Sequence, residues 1–283
     1  GRNDMRYYLT FILCAFCVSA SAQQPVSNRI ALPITLPEAA PVVDCATALK
    51  NADELVKGNK LVEAREQLLG VLDKAPADLR PQVEDKTGRI NIELIMTPRA
   101  MPEKINHTIR QGDTLARLAR ANGTTEILLQ KSNEITDPSL IKFGYRLRIF
   151  NGTFKVTVNK SRNDLVLDMN GRFFKRYRVG TGKFGKTPTG AFQVQDRMAE
   201  PVWYRSDGKM VPYGDKENIL GTHWLSLRTA NTNDDIKGYG IHGTWDETTI
   251  GQSVSAGCVR LKNSDAEELY TLLPSGTLVV IEE

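Results

Sequence analysis

The residues best suited to covalent chemistry lie in one stretch, 239–261, which reads YGIHGTWDETTIGQSVSAGCVRL. This stretch contains His242 and Cys258, sixteen residues apart. A cysteine attacks as its thiolate, and with an ordinary pKa of about 8.5 it is mostly protonated at neutral pH. An imidazole within hydrogen-bond reach can take that proton, and the resulting ion pair would lower the pKa of the thiol. The two residues are therefore a candidate nucleophile and base.

The residues before Cys258 predict a tight turn that leaves the sulfur exposed. Ser255, Ala256 and Gly257 are small, so backbone N–H groups next to the sulfur would remain free to hold an oxyanion. A structural alternative is a single disulfide bridge to Cys45, since these two are the only cysteines after residue 22. The small residues and the cation around Cys258 favour the free thiol.

Two further motifs accompany this pair. The segment from Thr181 to Phe192 reads TGKFGKTPTGAF, and it is followed by His242-Gly243-Thr244 and then by residues 255–260, SAGCVR. Together they resemble the L,D-transpeptidase catalytic domain of the YkuD family over residues 153–283. The resemblance implies a mostly β, sandwich-like domain that needs no cofactor and no metal. It also implies an enzyme that remodels the stem peptides of peptidoglycan.

The resemblance assigns roles to individual residues. Cys258 would attack the carbonyl between the third residue of the stem, a diamino acid, and the terminal D-alanine. His242 would act as the base and then as the acid that protonates the leaving D-alanine. The carbonyl of Gly243 would orient the imidazole, and the backbone N–H groups of Gly257 and Cys258 would hold the oxyanion.

Other residues near the cysteine have less certain roles. Arg260 would either pair with a substrate carboxylate or brace the turn, and Ser255 is a further candidate for substrate contact. Many family members have a histidine directly before Gly-Cys, whereas this chain has Ala256. His223, in LGTHWLSL, fits a structural histidine better than a second histidine of the site.

The residues of the motif leave the acyl acceptor open. The acyl group could pass to the side-chain amine of a neighbouring stem, which makes a 3-3 cross-link, or to an amine of a protein. Water as the acceptor would give an L,D-carboxypeptidase, or an endopeptidase that cleaves existing links. The alternative from another class is a non-catalytic protein that only binds the cell wall.

Residues 104–150 predict a β-α-α-β unit that precedes the catalytic candidate. Gly112, Asp113 and Thr114 form a turn before a helix, and the unit ends in a strand whose pattern is Ile-x-x-Gly-x-x-Leu-x-Ile. The unit resembles the LysM domain, which binds glycan chains that contain N-acetylglucosamine. The resemblance implies a groove between residues 112–114 and 135–137. As an alternative, Asp113 and Thr114 only cap the helix.

Residues 44–100 predict a helical hairpin, because apolar side chains recur at helical spacing on both sides of Gly58-Asn59. Pro81 could open a third helix, which Gly88 makes less favourable. The pair of helices resembles one tetratricopeptide-like unit. Since such repeats generally stack in arrays, a spacer or a small docking surface is the expected role.

The first 43 residues predict export. Residues 1–22 hold a short apolar run that ends in Ala20-Ser21-Ala22, the pattern of a secretory signal peptide cut after Ala22. The run is too short to span a bilayer, which takes about 20 helical residues. Residues 23–43 carry four prolines and predict an extended linker. A periplasmic or wall-associated protein without a stable membrane anchor is expected.

Composition and spacing argue against other classes of protein. A papain-like protease would place its histidine after its cysteine, a zinc site would need ligands closer together, and a net charge of +4 is too small to favour nucleic-acid binding. Residues 153–190 carry nine Lys or Arg and two Asp. This excess favours anionic stem peptides as partners, although a solvated basic face would explain it equally well. The sequence makes no prediction of oligomeric state.

Overall fold

The computed structural model describes residues 44–230 and 238–283. The predicted signal peptide and linker, residues 1–22 and 23–43, lie outside the described residues. No helix in the described ranges is both long and apolar enough to cross a membrane.

The first part of the described chain is helical. It consists of α1 (Cys45–Lys57), α2 (Leu61–Leu72) and α3 (Arg80–Met96). The Asp44 carboxylate accepts the N–H groups of Ala46 and Thr47 and so caps α1. The predicted third helix is confirmed, with proline in its first turn.

The predicted β-α-α-β unit is also confirmed. It comprises β1 (Lys104–Thr108), α4 (Leu115–Ala121), α5 (Glu126–Lys131) and β2 (Arg146–Phe150). Strands β1 and β2 pair antiparallel. The unit has a small apolar core of its own, built from Ile109, Leu115, Leu118, Ala119, Leu129, Leu147 and Ile149.

The remaining residues form a mostly β domain, as the sequence predicts. Eight strands make one continuous mixed sheet, in the order β13-β11-β10-β7-β14-β3-β4-β5. In chain order these strands are β3 (Phe154–Asn159), β4 (Asp164–Met169), β5 (Arg172–Arg178), β7 (Gly190–Ala199), β10 (His223–Thr229), β11 (Gly240–His242), β13 (Val259–Arg260) and β14 (Leu278–Glu282). Two-stranded pairs flank it: β6 (Thr181–Gly182) with β12 (Ser253–Ser255), and β8 (Trp203–Tyr204) with β9 (Met210–Val211).

Helix α6 (Asn263–Leu272) follows β13 and contributes buried leucines to the core. The sequence SDAE predicts a capping box that begins the helix at Ser264, and this prediction is wrong. The helix begins one residue earlier, Lys262 is the N-cap residue, and no side chain caps the helix. The carbonyl of Lys262 already accepts the N–H of Ala266, which places Ser264 inside the first turn.

The helical part packs directly against the catalytic sheet, which does not fit a role as a spacer. Helix α3 lies on β5, an end strand of the sheet, and Gly88 allows the close approach because a Cβ there would lie 3.0 Å from the Lys175 side chain. Asn91 Nδ2 donates to the carbonyl of Phe174 at 2.8 Å. Arg176 donates twice to the buried Glu84 carboxylate, at 2.7 and 3.0 Å.

The β-α-α-β unit is docked on the same body. Leu128 of α5 is buried in the core cluster that also includes side chains of α6 and the sheet. Beside it, the Thr125 hydroxyl donates to the carbonyl of Thr271, and Lys131 pairs with Glu267 at 3.1 Å. One apolar core therefore holds all three parts of the described chain in a fixed arrangement.

The basic segment 153–190 is largely neutralised within the fold. Five of its nine cations form ion pairs, which are Lys160–Glu283, Arg162–Asp164, Arg172–Glu66, Lys175–Glu268 and Arg176–Glu84. Two of the acidic partners, Glu66 and Glu84, belong to the helical part. Glu268 and Glu283 come from the end of the chain, and Asp164 lies within the segment itself. The charge count of the segment alone therefore does not show how many of its cations are paired.

Candidate active site

A cleft of about 580 Å³ brings His242 and Cys258 together. Both side chains line it, because β11 and β13 are parallel neighbours that pair His242 with Arg260, and Cys258 directly precedes β13. Apolar and aromatic side chains form much of the remaining wall, namely Met198, Trp203, Tyr204, Ile219, Trp224 and Tyr239.

The imidazole of His242 is buried and held in one orientation. Its Nδ1 donates to the carbonyl of Gly243 at 2.6 Å, as the resemblance implies. Since a carbonyl only accepts, the proton must be on Nδ1, which leaves a lone pair on Nε2. The pKa of His242 is lowered to about 4, chiefly by burial and also by the Arg260 charge, while the carbonyls of Gly243 and Leu220 oppose the shift. The imidazole is neutral across the physiological range.

The surroundings of Cys258 shift its thiol in the same sense, toward the neutral form. Burial raises the pKa of Cys258, and the backbone of Gly240 and the Arg260 charge oppose that shift only in part. Its Sγ lies 3.7 Å from the carbonyl of Gly238. Desolvation disfavours both charged forms, so burial opposes the predicted thiolate–imidazolium pair. The geometry fits an imidazole that takes the thiol proton as the sulfur attacks.

The turn before the cysteine depends on glycine and serine. Gly257 has a φ of 139°, and a Cβ at this position would lie 2.6 Å from Tyr239 Cε1. The Ser255 hydroxyl accepts the N–H of Gly257 at 3.0 Å and donates to the carbonyl of Cys258 at 2.7 Å. Ser255 thus stabilises the turn, and it also lines the cleft, where contact with a substrate stays a prediction.

The same hydrogen bonds correct the predicted oxyanion donors. The N–H of Gly257 is already taken by Ser255, so it is not free for a substrate oxygen. The N–H of Cys258 has no hydrogen-bond partner within residues 44–230 and 238–283. That N–H is the backbone donor that remains for an oxyanion at the sulfur.

Arg260 both braces the turn and faces the cleft. Its backbone N–H and carbonyl each bond to Gly180 at 2.8 Å, which fixes the strand. Its side chain lines the cleft, and its Nε is buried without a hydrogen-bond partner in the described part of the chain. An unsatisfied buried guanidinium nitrogen is costly, so a bound anion would be stabilised here.

The other histidine near the site has a structural role, as the sequence favours. His223 Nδ1 lies 3.0 Å from the Thr222 hydroxyl, and its ring packs on Tyr270 at 4.7 Å between centroids. His223 is not among the residues that line the cleft, whereas Ala256 is. The described residues include no group of three or more His, Cys, Asp or Glu that could hold a metal ion.

The state of the two described cysteines tests the alternative of a disulfide bridge. Cys45 and Cys258 are both free. Cys45 is buried in α1, where its Sγ lies 3.8 Å from the carbonyl of Val71. The disulfide alternative is therefore wrong, and Cys258 is a free thiol as the sequence favours.

The predicted groove of the β-α-α-β unit is only partly present. Asp113 accepts the N–H of Arg110 and contacts His107 Nε2, both at 2.8 Å, and Thr114 caps α4 through the N–H of Arg117. Gly112 supplies a positive φ in the same loop. A cleft of about 260 Å³ instead lies at the second loop, lined by Glu134, Ile135, Thr136, Asp137, Ile141, Lys142 and Tyr145.

The sequence missed several residues that line the two clefts. Trp203, Tyr204, Trp224 and Tyr239 come from separate strands and loops, so no motif groups them. The composition offered a weak signal, because the chain has only three tryptophans and two of them line the catalytic cleft. Tyr145 directly follows Gly144, the glycine of the Ile-x-x-Gly-x-x-Leu-x-Ile pattern. Its aromatic side chain is the signal that could have identified it as part of a binding cleft.

A mostly β domain with a buried histidine and a cysteine in one cleft defines an enzyme site. Comparison with known proteins identifies the family: residues 153–281 match the L,D-transpeptidase catalytic domain and residues 107–150 match the LysM domain. The chain belongs to the L,D-transpeptidase family, with a LysM domain ahead of its catalytic domain.

Two relatives from Bacillus subtilis support this assignment over most of their own length. The chain is 30% identical to the putative L,D-transpeptidase YkuD of Bacillus subtilis over 189 residues, which are 62% of this chain and 98% of that protein. It is 36% identical to the putative L,D-transpeptidase YqjB of the same organism over 129 residues, 45% of this chain and 70% of that protein. A solved L,D-transpeptidase from Mycobacterium smegmatis aligns at 18% identity with a TM-score of 0.37, covering 50% of this chain and 64% of that one.

Proposed function

We propose that the chain is an exported peptidoglycan L,D-transpeptidase with Cys258 as its nucleophile and His242 as its base. One observation carries the chemistry: both side chains line the same cleft, and the hydrogen bond from Nδ1 to Gly243 leaves the Nε2 lone pair as the proton acceptor. Export rests on the predicted signal peptide, residues 1–22.

The acylation step uses the neutral pair. The thiol proton of Cys258 passes to His242 Nε2 while the sulfur bonds to the carbonyl carbon between the diamino acid and D-alanine. The carbonyl oxygen becomes an oxyanion, which the N–H of Cys258 stabilises. Collapse re-forms the carbonyl and breaks the C–N bond, and the D-alanine nitrogen leaves with the proton from Nε2. A thioester on Cys258 remains.

The second half reaction reverses these roles. An acceptor amine, such as the side-chain amine of a neighbouring diamino acid, loses a proton to His242 and attacks the thioester. The C–S bond breaks, and the sulfur takes the proton back from His242. The products are a new amide and the resting thiol. The family assignment favours an amine over water as the acceptor, and the product decides between them.

The cleft supplies the contacts that a stem peptide needs. The Arg260 Nε is buried and unpartnered within the described residues, so it would bind a carboxylate of the donor stem. The aromatic wall, which includes Trp203 and Trp224, would cover the apolar part of the diamino acid side chain and exclude water from the thioester.

The LysM domain would hold the enzyme on the glycan. Its cleft at residues 134–145 combines an exposed aromatic ring, Tyr145, with polar groups of Asp137 and Lys142, which suits a sugar better than the self-bonded loop at 112–114. Because α5 is docked on α6 through Leu128, a glycan on this cleft would be held at a fixed distance from the catalytic cleft.

Mass spectrometry of products from one purified tetrapeptide muropeptide tests the proposal. The expected product is a dimer whose mass equals two substrates less one D-alanine, because the transfer releases that residue. A tripeptide without dimer would show that water is the acceptor and would overturn transfer. Unchanged substrate would favour the non-catalytic wall-binding alternative.

The pH dependence of the reaction follows from the buried imidazole. Since the pKa of His242 is lowered to about 4, the base stays unprotonated until the medium is strongly acidic. We expect kcat/KM to stay level from neutral pH to about pH 5 and then to fall. An enzyme whose base had the ordinary histidine pKa of about 6.5 would keep only half of its maximal kcat/KM at about pH 6.5. A fall centred between pH 6 and 7 (about the ordinary value) would contradict this assignment of the base.

A further inference from the structure

Asn263, the first residue of α6, joins the two chain segments that flank the imidazole. Its Oδ1 accepts the N–H of Thr222 at 3.1 Å. Gly221 and Gly243 both approach this oxygen so closely that a Cβ on either residue would overlap it. The N–H of Gly243 bonds in turn to the carbonyl of His223 at 3.1 Å. One amide oxygen therefore fixes the spacing of the two segments.

These two segments carry the carbonyls that act on the imidazole. The Gly243 carbonyl accepts the Nδ1–H of His242. The carbonyl of Leu220, directly before Gly221, also raises the pKa of His242 against the effect of burial. A shift of the segment that carries Gly243 would move the acceptor of the imidazole proton, and with it the direction of the Nε2 lone pair.

The alternative role for Asn263 would be to cap α6, since asparagine is a favoured N-cap residue. The structure places Lys262 at the N-cap position and shows no side-chain cap hydrogen bond. The amide of Asn263 is turned instead to Thr222 and to the two glycines. Its contacts therefore join the segments on either side of His242 and do not cap the helix.

We propose that Asn263 is a positioning residue for His242. It holds the Gly243 carbonyl where it accepts the Nδ1–H of His242 and so fixes the direction of the Nε2 lone pair. This inference rests on the proposed function, in which His242 is the base. It adds a residue outside the His-Gly and Ser-x-Gly-Cys motifs to the machinery of the reaction.

Two substitutions separate this role from simple packing. Asn263→Leu keeps a similar volume and removes the acceptor, whereas Asn263→Asp keeps an acceptor oxygen and adds a negative charge near the imidazole. The matched control is Asn133→Leu, because Asn133 Oδ1 also accepts a backbone N–H, that of Arg148 at 2.8 Å, but lies in the LysM domain. Each variant is made in the full chain, and its thermal unfolding is recorded.

We expect Asn263→Leu to lower kcat by about 100-fold with little change in KM, the effect of a misplaced base. Asn263→Asp should retain more activity at neutral pH, and its acid limb of kcat/KM should move up by about one pH unit, since a nearby carboxylate raises the pKa of histidine. Asn133→Leu should reproduce the pH profile of the unmodified chain even if its melting temperature falls.

The inference is overturned if Asn263→Leu matches Asn133→Leu in kcat, or if Asn263→Asp shows the acid limb of the unmodified chain. Should Asn263→Leu fail to fold, the pH profile of Asn263→Asp still decides. Alkylation of Cys258 by iodoacetamide against pH gives a readout without peptidoglycan. An unmodified chain that forms no product would overturn the proposed function, while a difference in alkylation between the variants would still support the positioning role.

Discussion

Cys258→Ala should abolish the formation of cross-linked dimers from tetrapeptide muropeptides. Alanine removes the atom that forms the thioester, and neither the cleft nor the N–H at position 258 can replace it. Loss of the nucleophile costs about 10⁴-fold or more in kcat. Mass spectrometry of the product mixture measures this directly, because a dimer and a tetrapeptide differ greatly in mass.

The same variant should bind insoluble peptidoglycan as the unmodified chain does. The LysM domain has its own small core and its own cleft, neither of which includes residue 258. A matched control is Cys45→Ala, which removes the other free thiol from the buried face of α1. We expect it to cost about 1 kcal/mol in stability and to leave dimer formation intact. Dimers formed at an undiminished rate by Cys258→Ala would contradict the assignment of the nucleophile.

The sequence predicted the chemistry of the site better than its electrostatics. His242, Cys258 and the Gly243 carbonyl come together as expected, because their positions follow from short motifs on adjacent strands. The direction of the pKa shifts could not be predicted, since it depends on burial, which distant residues supply. A pair of motifs cannot show that Arg260 places a positive charge near both groups.

The hydrogen-bond partners within the turn could not be predicted from the sequence either. Ser255 and Gly257 belong to the motif. The sequence predicts a substrate contact for Ser255 and an oxyanion donor for the N–H of Gly257. In the fold they bond to each other and to the backbone of Cys258. Only coordinates distinguish a side chain that faces a ligand from one that shapes the loop beside it.

At the level of the fold, the sequence predicted the elements but not their docking. Helical periodicity is local, so α1 to α3 could be predicted. The contacts of α3 with β5 join residues about 90 positions apart, and the Glu84–Arg176 pair is one example. The sequence gives no sign of which charges meet across such a distance.

This docking leads to the second large prediction: a chain that begins at residue 101, without α1 to α3, should not fold to a stable state. Helix α3 covers β5, whose Phe174 side chain is fully buried and whose carbonyl at that residue accepts from Asn91. Removal would expose apolar surface at about 25 cal/mol per Å² and open a sheet edge to pairing with other chains. Circular dichroism and thermal unfolding measure the loss, and a chain that begins at residue 44 is the control.

A single substitution tests the same interface without a deletion. Glu84→Gln should lower the free energy of unfolding by about 2 kcal/mol, because it removes the charge that Arg176 bonds through two nitrogens in a buried position. Glu54→Gln is the matched control, since its pair with Lys57 is exposed and screened by solvent and should contribute little to stability. If the chain from residue 101 unfolds cooperatively at the temperature of the longer chain, and Glu84→Gln behaves like Glu54→Gln, the helices are an appendage and the shared core contributes little. The expected result makes them a structural part of the catalytic domain, in which Arg172 and Arg176 of β5 bond to Glu66 and Glu84 of the helical part.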